Sequence, residues 1–254
     1  MEKQAIISVQ SLSKKYGEFE AVKQISFDVY QGEIFGLLGP NGAGKSTTLE
    51  IIETLRQKTS GKIFVDGIDL DMNPNEIKKR IGVQLQTSGY YPNLNLIELL
   101  VLFAGLYNRD IKPSDFLEKV NLTDKAKSKY KELSGGQKQR FSIATTLINQ
   151  PKIIFLDEPT TGLDPQARRN LWDLVRDIRA TGTTVIMTTH YMDEAEVLCD
   201  RVAIMDTGKI IALDTPDQLI DKLVATGFER PREVKQANLE DVFINLTGKA
   251  LRDE

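Results

Sequence analysis

Polar and apolar residues alternate along the first thirty positions of the chain. β-Branched and aromatic residues recur at nearly period two in residues 5–9 and 22–30, so both segments are predicted strands. A continuous apolar run follows at residues 34–38. Because such a run leaves no polar face, it predicts a central strand that is buried on both sides.

Beyond residue 38 the pattern switches between helical and strand spacing. Helical spacing dominates residues 87–150, and strand and helix patterns then alternate from residue 153. Alternation of this kind is typical of a parallel sheet covered by helices. We therefore expect an α/β fold with a mostly parallel sheet, an N-terminal antiparallel β subdomain and an inserted helical subdomain. The further predicted elements are strands at 63–65, 81–85, 153–156 and 184–188, and helices at 45–55, 137–149 and 165–180.

Composition narrows the possible functions. Lys and Arg number 33 against 36 Asp and Glu, which gives a net charge of −3, so no nucleic-acid partner is expected. A single cysteine and a single histidine exclude cysteine-rich and multi-histidine metal sites. The longest apolar stretch, residues 94–107, contains Asn95 and Glu98 and is too short to span a membrane. We expect a soluble chain, with any membrane-spanning half on a separate polypeptide.

A glycine-rich segment after the buried run fits the pattern G-x-x-x-x-G-K-[ST] and opens a predicted helix. Its backbone N–H groups can converge on one anion, and the helix dipole adds attraction. Lys45 would reach the β- and γ-phosphates, and the Ser46 hydroxyl would coordinate Mg²⁺. The alternative is an ordinary glycine-rich turn, and the glycine order disfavours a dinucleotide site. The predicted ATP-binding residues of this loop are Asn41, Gly42, Ala43, Gly44, Lys45, Ser46 and Thr47.

Two acidic residues follow the predicted strand at 153–156. Asp157 is placed to hold Mg²⁺ through water, and Glu158 could polarise an attacking water molecule. A solvated acidic pair after an edge strand is the alternative. Beside a complete phosphate loop, the pair predicts a P-loop NTPase core.

A second candidate anion site lies ahead of the helix at 137–149. Ser134, Gly135, Gly136 and Gln137 place free N–H groups at a helix N-terminus, without a lysine or a metal ligand. A plain serine-capped helix is the alternative.

With these motifs the chain resembles the nucleotide-binding subunit of an ATP-binding cassette (ABC) transporter, from its start to about residue 225. The resemblance identifies residues 39–47 as the Walker A loop, residues 133–137 as the signature sequence and residues 153–158 as Walker B. The resemblance also identifies Gln86 as the Q-loop glutamine, which joins the Mg²⁺ shell, and Asp164 as the D-loop residue. His190 matches the switch histidine. Tyr16 matches the A-loop aromatic residue, which would stack on adenine beside Val22. Gln84 lies two residues before Gln86, on the same face of an extended chain, and only the family's spacing favours Gln86.

The resemblance implies how the subunit works. ATP and Mg²⁺ would bind between the Walker A loop of one copy and the signature sequence of a second, in a homodimer or a pair with another ABC ATPase subunit. Glu158 and His190 would be catalytic, and hydrolysis would drive a separate membrane-spanning permease, with this chain peripheral on the cytoplasmic face of the membrane. The domain limits implied are a cassette at 1–225, a helical subdomain at about 87–150 and a C-terminal extension at 226–254.

Two regions refine this interpretation. Residues 87–107 correspond to the family's permease-docking surface, where Tyr90 and Tyr91 are predicted to be exposed and Phe103 to lie in the core. The tail at 238–248 resembles the end of the ATPase subunits of the ABC-2-type subfamily, which is a drug- or polysaccharide-export-like subfamily. This resemblance favours export. The alternative is a soluble, non-transport ABC ATPase acting in translation, repair or on chromosomes.

Overall fold

The computed structural model describes residues 4–84 and 89–228. The chain divides into two compact units, residues 1–219 and residues 220–254, and the described part of the second unit contains the last turns of one helix. The strands within the described ranges are β1 (Ala5–Tyr16), β2 (Phe19–Tyr30), β3 (Ile34–Leu38), β4 (Ser60–Val65), β5 (Ile68–Asp69), β6 (Ile81–Gln84), β7 (Ile153–Asp157), β8 (Thr184–Thr189), β9 (Arg201–Asp206) and β10 (Lys209–Asp214). The α-helices are α1 (Lys45–Ile52), α2 (Pro74–Lys78), α3 (Leu96–Leu106), α4 (Pro113–Lys119), α5 (Gly135–Thr146), α6 (Pro165–Ala180), α7 (Met192–Leu198) and α8 (Pro216–Ala225), with 3₁₀ turns at Thr123–Lys125 and Tyr130–Glu132.

The first strands form an antiparallel sheet in the order β2-β1-β4-β5. β1 and β2 make a hairpin whose register runs from Ala5 opposite Tyr30 to Tyr16 opposite Phe19. Both strands extend past the predicted segments. In β1, a register shift between residues 9 and 12 breaks the alternation of polar and apolar positions. Ser11, with φ 47°, lies inside this irregular stretch.

The second sheet has the order β10-β9-β3-β8-β7-β6. β3 pairs in parallel with both β8 and β9, and β7 pairs in parallel with β6 and β8, whereas β10 is antiparallel to β9. Every residue of β3 is buried, as its continuous apolar run predicts, and every residue of β8 is buried as well. The predicted α/β class with a mostly parallel sheet is therefore confirmed.

Two apolar cores cover the faces of this sheet. One joins the strands to α3–α7, and the other joins them to α1 and the antiparallel sheet. The helices α3, α4 and α5 fall within the predicted helical subdomain, whose limits at 87–150 stay a prediction. None of the helices in the described ranges is both long and apolar enough to cross a bilayer.

Local backbone chemistry moves several helix ends away from the predicted positions. α1 ends at Ile52 rather than at residue 55, and Thr54 then takes a left-handed φ of 64°. α5 begins at Gly135, two residues early, because Ser134 forms a capping box with Gln137. Residues 165–180 match α6 without a shift, since a proline follows the Asp164 cap.

Tyr90 is not the exposed aromatic residue that the sequence predicted. Its ring packs on Tyr130 and Phe141, and its hydroxyl lies 3.2 Å from Ser142 Oγ and 3.0 Å from Thr145 Oγ1. The hydroxyl finds buried partners on α5, so the ring can fill the subdomain core. The prediction holds for Tyr91, which is 66% exposed.

Close packing of β6 against α5 gives a test of the fold. A Cβ atom added to Gly82 would lie 2.5 Å from the carbonyl oxygen of Thr146, which is backbone and cannot turn away. We expect Gly82→Ala to lower the free energy of unfolding by about 1–3 kcal/mol, as overpacked cores do. Gly105 in α3 has nothing within 4 Å of its added Cβ, so Gly105→Ala should leave stability unchanged or raise it. Urea unfolding measures both, and wild-type stability of Gly82→Ala would contradict this packing.

Candidate functional site

The candidate site lies at the carboxyl ends of three neighbouring parallel strands. β8 lies between β3 and β7 in the sheet, so the residues that follow these strands meet at one edge. β3 leads into the phosphate loop, β7 ends in Asp157, and β8 leads to His190. The fold thus brings the phosphate loop beside two segments that follow it by more than a hundred residues in the sequence.

The phosphate loop depends on glycine at its last turn. Gly44 is the N-cap of α1, with a left-handed φ of 100°. A Cβ atom there would also lie 2.7 Å from the carbonyl oxygen of Ala21. No side chain caps α1 at Gly44. The N–H groups of the first turn of α1, beginning at Lys45 and Ser46, are therefore available to an anion.

Lys45 points back into its own loop. Its Nζ donates hydrogen bonds to the carbonyl oxygens of Gly39 at 2.7 Å and Pro40 at 3.1 Å, and lies 4.0 Å from Glu158 Oε1. Burial lowers the pKa of Lys45, while the nearby carboxylates of Glu158 and Asp157 act in the opposite direction. The Lys45 amine therefore lies beside two acidic residues whose carboxylates favour its protonated form.

Ser46 and Asp157 place two oxygen ligands side by side. The Ser46 hydroxyl donates to Asp157 Oδ1 at 3.3 Å, and Thr188 Oγ1 donates to the same carboxylate oxygen. Mg²⁺ is usually held by one or two protein oxygens together with phosphate oxygens, so this pair fits the ion. Across residues 4–84 and 89–228 no cluster of three or more His, Cys, Asp or Glu forms a metal site by itself.

Glu158 is the residue on which the site converges. Its Oε1 lies 3.3 Å from His190 Nδ1, and its Oε2 accepts a hydrogen bond from Thr161 at 3.2 Å. Its backbone is left-handed, with φ 47°, and its N–H donates to Thr188 Oγ1 at 3.0 Å. The side chain is 12% exposed, so the carboxylate is held in a fixed position near the site's edge.

Two polar residues at this site were missed by sequence reasoning. Thr188 contacts both Asp157 and the Glu158 backbone, and its position at the end of the next parallel strand was the available signal. Glu53 is buried just after α1, and burial raises its pKa to about 8, helped by the negative charge of Asp157. Near neutral pH its protonated form dominates, so it adds little negative charge beside Asp157.

Tyr16 and Val22 differ in their surroundings. The Tyr16 ring is 41% exposed at the end of β1, with Lys14 Nζ 4.9 Å and Arg56 Cζ 5.5 Å from its centroid. Val22 is fully buried in the core below Gly44. An exposed ring can stack on a base, so the geometry is compatible with the prediction for Tyr16. Val22 is buried and can act only by packing against the phosphate loop at Gly44.

Residues 134–137, where the sequence predicts a second anion site, form the N-terminal cap of α5. Ser134 Oγ accepts from the Gln137 N–H at 3.3 Å, and Gln137 Oε1 accepts from the Ser134 N–H at 2.9 Å. Ser134 and Gly135 are exposed, while Gly136 lies so close to α6 that an added Cβ would be 3.0 Å from Ala167 Cβ. The structure therefore contains the serine-capped helix, and the role of its exposed tip as an anion site stays a prediction.

Asp164 and Gln86 complete the predicted set. Asp164 caps α6, because its Oδ1 accepts from the Ala167 N–H at 2.8 Å. Gln86 lies outside the described residues, and Gln84 is buried on β6. Among the described residues, no hydrogen bond or ion pair joins the Ser134–Gln137 segment to the carboxylates at 157 and 158.

Comparison with known proteins matches this arrangement. Residues 22–161 match the protein family described as ABC transporter. The chain is 40% identical to the linearmycin resistance ATP-binding protein LnrL of Bacillus subtilis, covering 86% of this chain and 72% of that protein. It is also 40% identical to the Nod factor export ATP-binding protein I of Ralstonia nicotianae, with 98% and 95% covered.

Solved structures show the same fold. An ATP-binding cassette of an ABC transporter, MJ1267, superposes with a TM-score of 0.78 at 26% identity, covering 87% of this chain and 96% of that one. The dimeric post-hydrolysis state of the cassette MJ0796, bound to ADP and Pi, has a TM-score of 0.73 at 28% identity, with 82% and 98% covered.

The resemblance stated from the motifs is therefore confirmed by both kinds of comparison. The phosphate loop, the acidic pair at the end of β7 and the histidine after β8 meet at one sheet edge, as an ATPase site requires. The chain belongs to the ABC transporter family, as an ATP-binding subunit that hydrolyses ATP.

Proposed function

We propose that this chain powers export through a separate membrane-spanning permease, working as a peripheral subunit on the cytoplasmic face of the membrane. The observation that carries the proposal is the convergence of Lys45 and His190 on the Glu158 carboxylate. The direction of transport is supported by the relatives, which are named for Nod factor export and linearmycin resistance. The alternative of a non-transport ABC ATPase has no such support.

The phosphate loop binds the triphosphate. The N–H groups at the uncapped start of α1 face the β- and γ-phosphates, and the Lys45 ammonium exchanges its carbonyl partners for phosphate oxygens. Tyr16 stacks on the adenine. The loop residues assigned to ATP are Asn41, Gly42, Ala43, Gly44, Lys45, Ser46 and Thr47.

Ser46 and Asp157 are the residues that would hold Mg²⁺, with Gln86 as a further ligand. When bound, the ion neutralises charge on the phosphate oxygens. Thr188 fixes the Asp157 carboxylate by its hydrogen bond, and the protonated form of Glu53 avoids a competing negative charge.

Glu158 acts as the general base. Its carboxylate takes the proton of a water molecule whose oxygen attacks the γ-phosphorus, and the bond to the bridging oxygen of ADP breaks. His190, next to that carboxylate, contacts the γ-phosphate, and Lys45 stabilises the charge that spreads over its oxygens.

A second chain completes the site. Gly135 and Gly136 of a second copy, or of a related subunit, donate their backbone N–H groups to the γ-phosphate from the exposed tip of α5. The capping box between Ser134 and Gln137 holds this turn in place. Asp164, at the start of α6, lies beside this tip and forms the D-loop of the same interface. The dimeric cassette bound to ADP and Pi supports this arrangement by its similarity. ATP then holds the dimer together, and loss of the γ-phosphate releases it.

The docking surface for the permease lies on the helical subdomain. Tyr91 is 66% exposed and Leu106 on α3 is 74% exposed, so both side chains are available to a partner, and a tyrosine is a common interface anchor. We keep the cassette at 1–225, the helical subdomain at 87–150 and the extension at 226–254 as part of the proposal.

Removing the loop's positive charge should weaken nucleotide binding. We expect Lys45→Ala to lower ATP affinity by about 10- to 100-fold, because a charged hydrogen bond contributes ~1.5–3 kcal/mol. Lys62→Ala, which removes an exposed lysine on β4, is the matched control. Titration calorimetry measures both affinities, and unchanged binding by Lys45→Ala would overturn the assignment of the loop.

Replacing the general base should separate binding from turnover. We expect Glu158→Gln to keep ATP affinity, to lose about 10²- to 10⁴-fold in turnover, and to form a stable dimer with ATP. Glu196→Gln, at an exposed position on α7, should behave as wild type. Steady-state ATPase assays and size-exclusion chromatography with ATP test this, and normal turnover of Glu158→Gln would contradict the role of Glu158.

The Glu158→Gln variant also allows a test of whether ATP binds between two copies of the chain. Glu158→Gln combined with Ser134→Arg should bind ATP but stay monomeric, since the bulky side chain blocks the tip of α5. Glu158→Gln combined with Ser114→Arg, at an exposed position on α4, should still dimerise. Dimerisation of both double variants to the same extent would exclude the proposed interface.

Docking can be tested on native membranes. We expect the double substitution Tyr91→Ser with Leu106→Ser to reduce the fraction of the chain that sediments with those membranes, while its basal ATPase activity stays at the wild-type level. Ile211→Ser, which removes another exposed apolar side chain on β10, is the control. Undiminished sedimentation of the double variant would remove these residues from the docking surface.

A further inference from the structure

His190 lies in a very short connection between β8 and α7. β8 ends at Thr189 and α7 begins at Met192, so only His190 and Tyr191 lie between the two elements. The orientation of the imidazole therefore depends on how α7 is held and on what contacts the ring. The side chain is 35% exposed, so burial alone does not fix it.

Tyr191 contacts the imidazole from the side of α7. The two ring centroids are 4.2 Å apart, with 38° between the planes. The guanidinium carbon of Arg168, on α6, lies 5.3 Å from the centroid of the Tyr191 ring. The same guanidinium is 3.4 Å from Asp193 Oδ2. One arginine thus joins α6 both to the ring that contacts His190 and to the first turn of α7.

A second contact joins the same two helices deeper in the protein. Trp172 Nε1, one turn after Arg168 on α6, donates a 3.0 Å hydrogen bond to Glu194 Oε1. Glu194 is fully buried, and burial raises its pKa, which the hydrogen bonds to its carboxyl oppose. This hydrogen bond holds α7 against α6, because breaking it would cost the buried carboxyl group one of its partners.

The start of α6 is itself anchored at the proposed dimer interface. The N–H of Arg168 donates to the carbonyl oxygen of Asp164 at 3.0 Å, in the first turn that Asp164 caps. Arg168 is therefore linked to the D-loop residue through its backbone and to the imidazole through the Tyr191 ring.

We propose that Arg168 and Tyr191 are positioning residues that hold the His190 imidazole beside Glu158, with Trp172 and Glu194 fixing α7 against α6. They touch neither ATP nor the attacking water, and act through His190. The inference depends on the catalytic role proposed above for His190. It links the orientation of that residue to the first turn of α6, at the predicted interface between copies.

Four variants of the full-length chain test this: Arg168→Gln, Tyr191→Ala, Tyr191→Phe and Arg169→Gln. Arg169 is the neighbouring, exposed arginine and serves as the matched control. We expect Arg168→Gln and Tyr191→Ala to lower kcat by about five- to tenfold, the loss that a cation–π contact of this kind predicts. The KM for ATP should stay near wild type, since the phosphate loop is untouched. The melting temperature should also stay near wild type, since the replaced side chains are not in the apolar core. Tyr191→Phe, which keeps the aromatic ring, should retain kcat.

The decisive comparison places Arg168→Gln in a His190→Ala background. A residue that acts through His190 should cause no further loss once the imidazole is gone. If Arg168→Gln alone has wild-type kcat, or lowers kcat by the same factor in both backgrounds, the positioning role is wrong while the role of His190 stands. If His190→Ala hydrolyses ATP at the wild-type rate, the proposed role of His190 fails, and the inference fails with it.

Discussion

The rest of the site depends on the contacts of the buried Lys45 ammonium. This group lies between the carbonyl oxygens of its own loop and the carboxylates at the end of β7. Burying a lysine is costly unless opposite charge lies close by. Glu158 and Asp157 supply that charge, and the protonated form of Glu53 keeps it from becoming excessive. The order of three parallel strands brings these groups to one edge, so sheet topology and site electrostatics are parts of one arrangement.

Much of this could be predicted from the sequence, because the relevant signals are local. The apolar run that became β3 and the Asp-Pro start of α6 need no tertiary information, and both were predicted with the observed bounds. The phosphate loop was equally clear, since a lysine after glycines at that spacing serves few other purposes. The α/β class then followed from alternation of strands and helices.

Other features depend on contacts across the fold, and the sequence could not supply them. The second half of β1 could not be recognised in the sequence, because a register shift in the middle of the strand moves the following side chains to the opposite face. Thr188 looks like any strand threonine until β8 is placed beside β7. Tyr90 resembles an exposed anchor in the sequence, yet α5 offers hydroxyl partners that draw it into the core.

The left-handed backbone at Glu158 carries a cost of its own. A residue with a Cβ atom pays about 1–2 kcal/mol in that conformation, and glycine would pay almost none. Glycine would relieve this strain, but it would also leave the buried ammonium of Lys45 without one of its two neighbouring carboxylates. The carboxylate therefore offsets, through its attraction to Lys45, part of the conformational cost that its own backbone imposes.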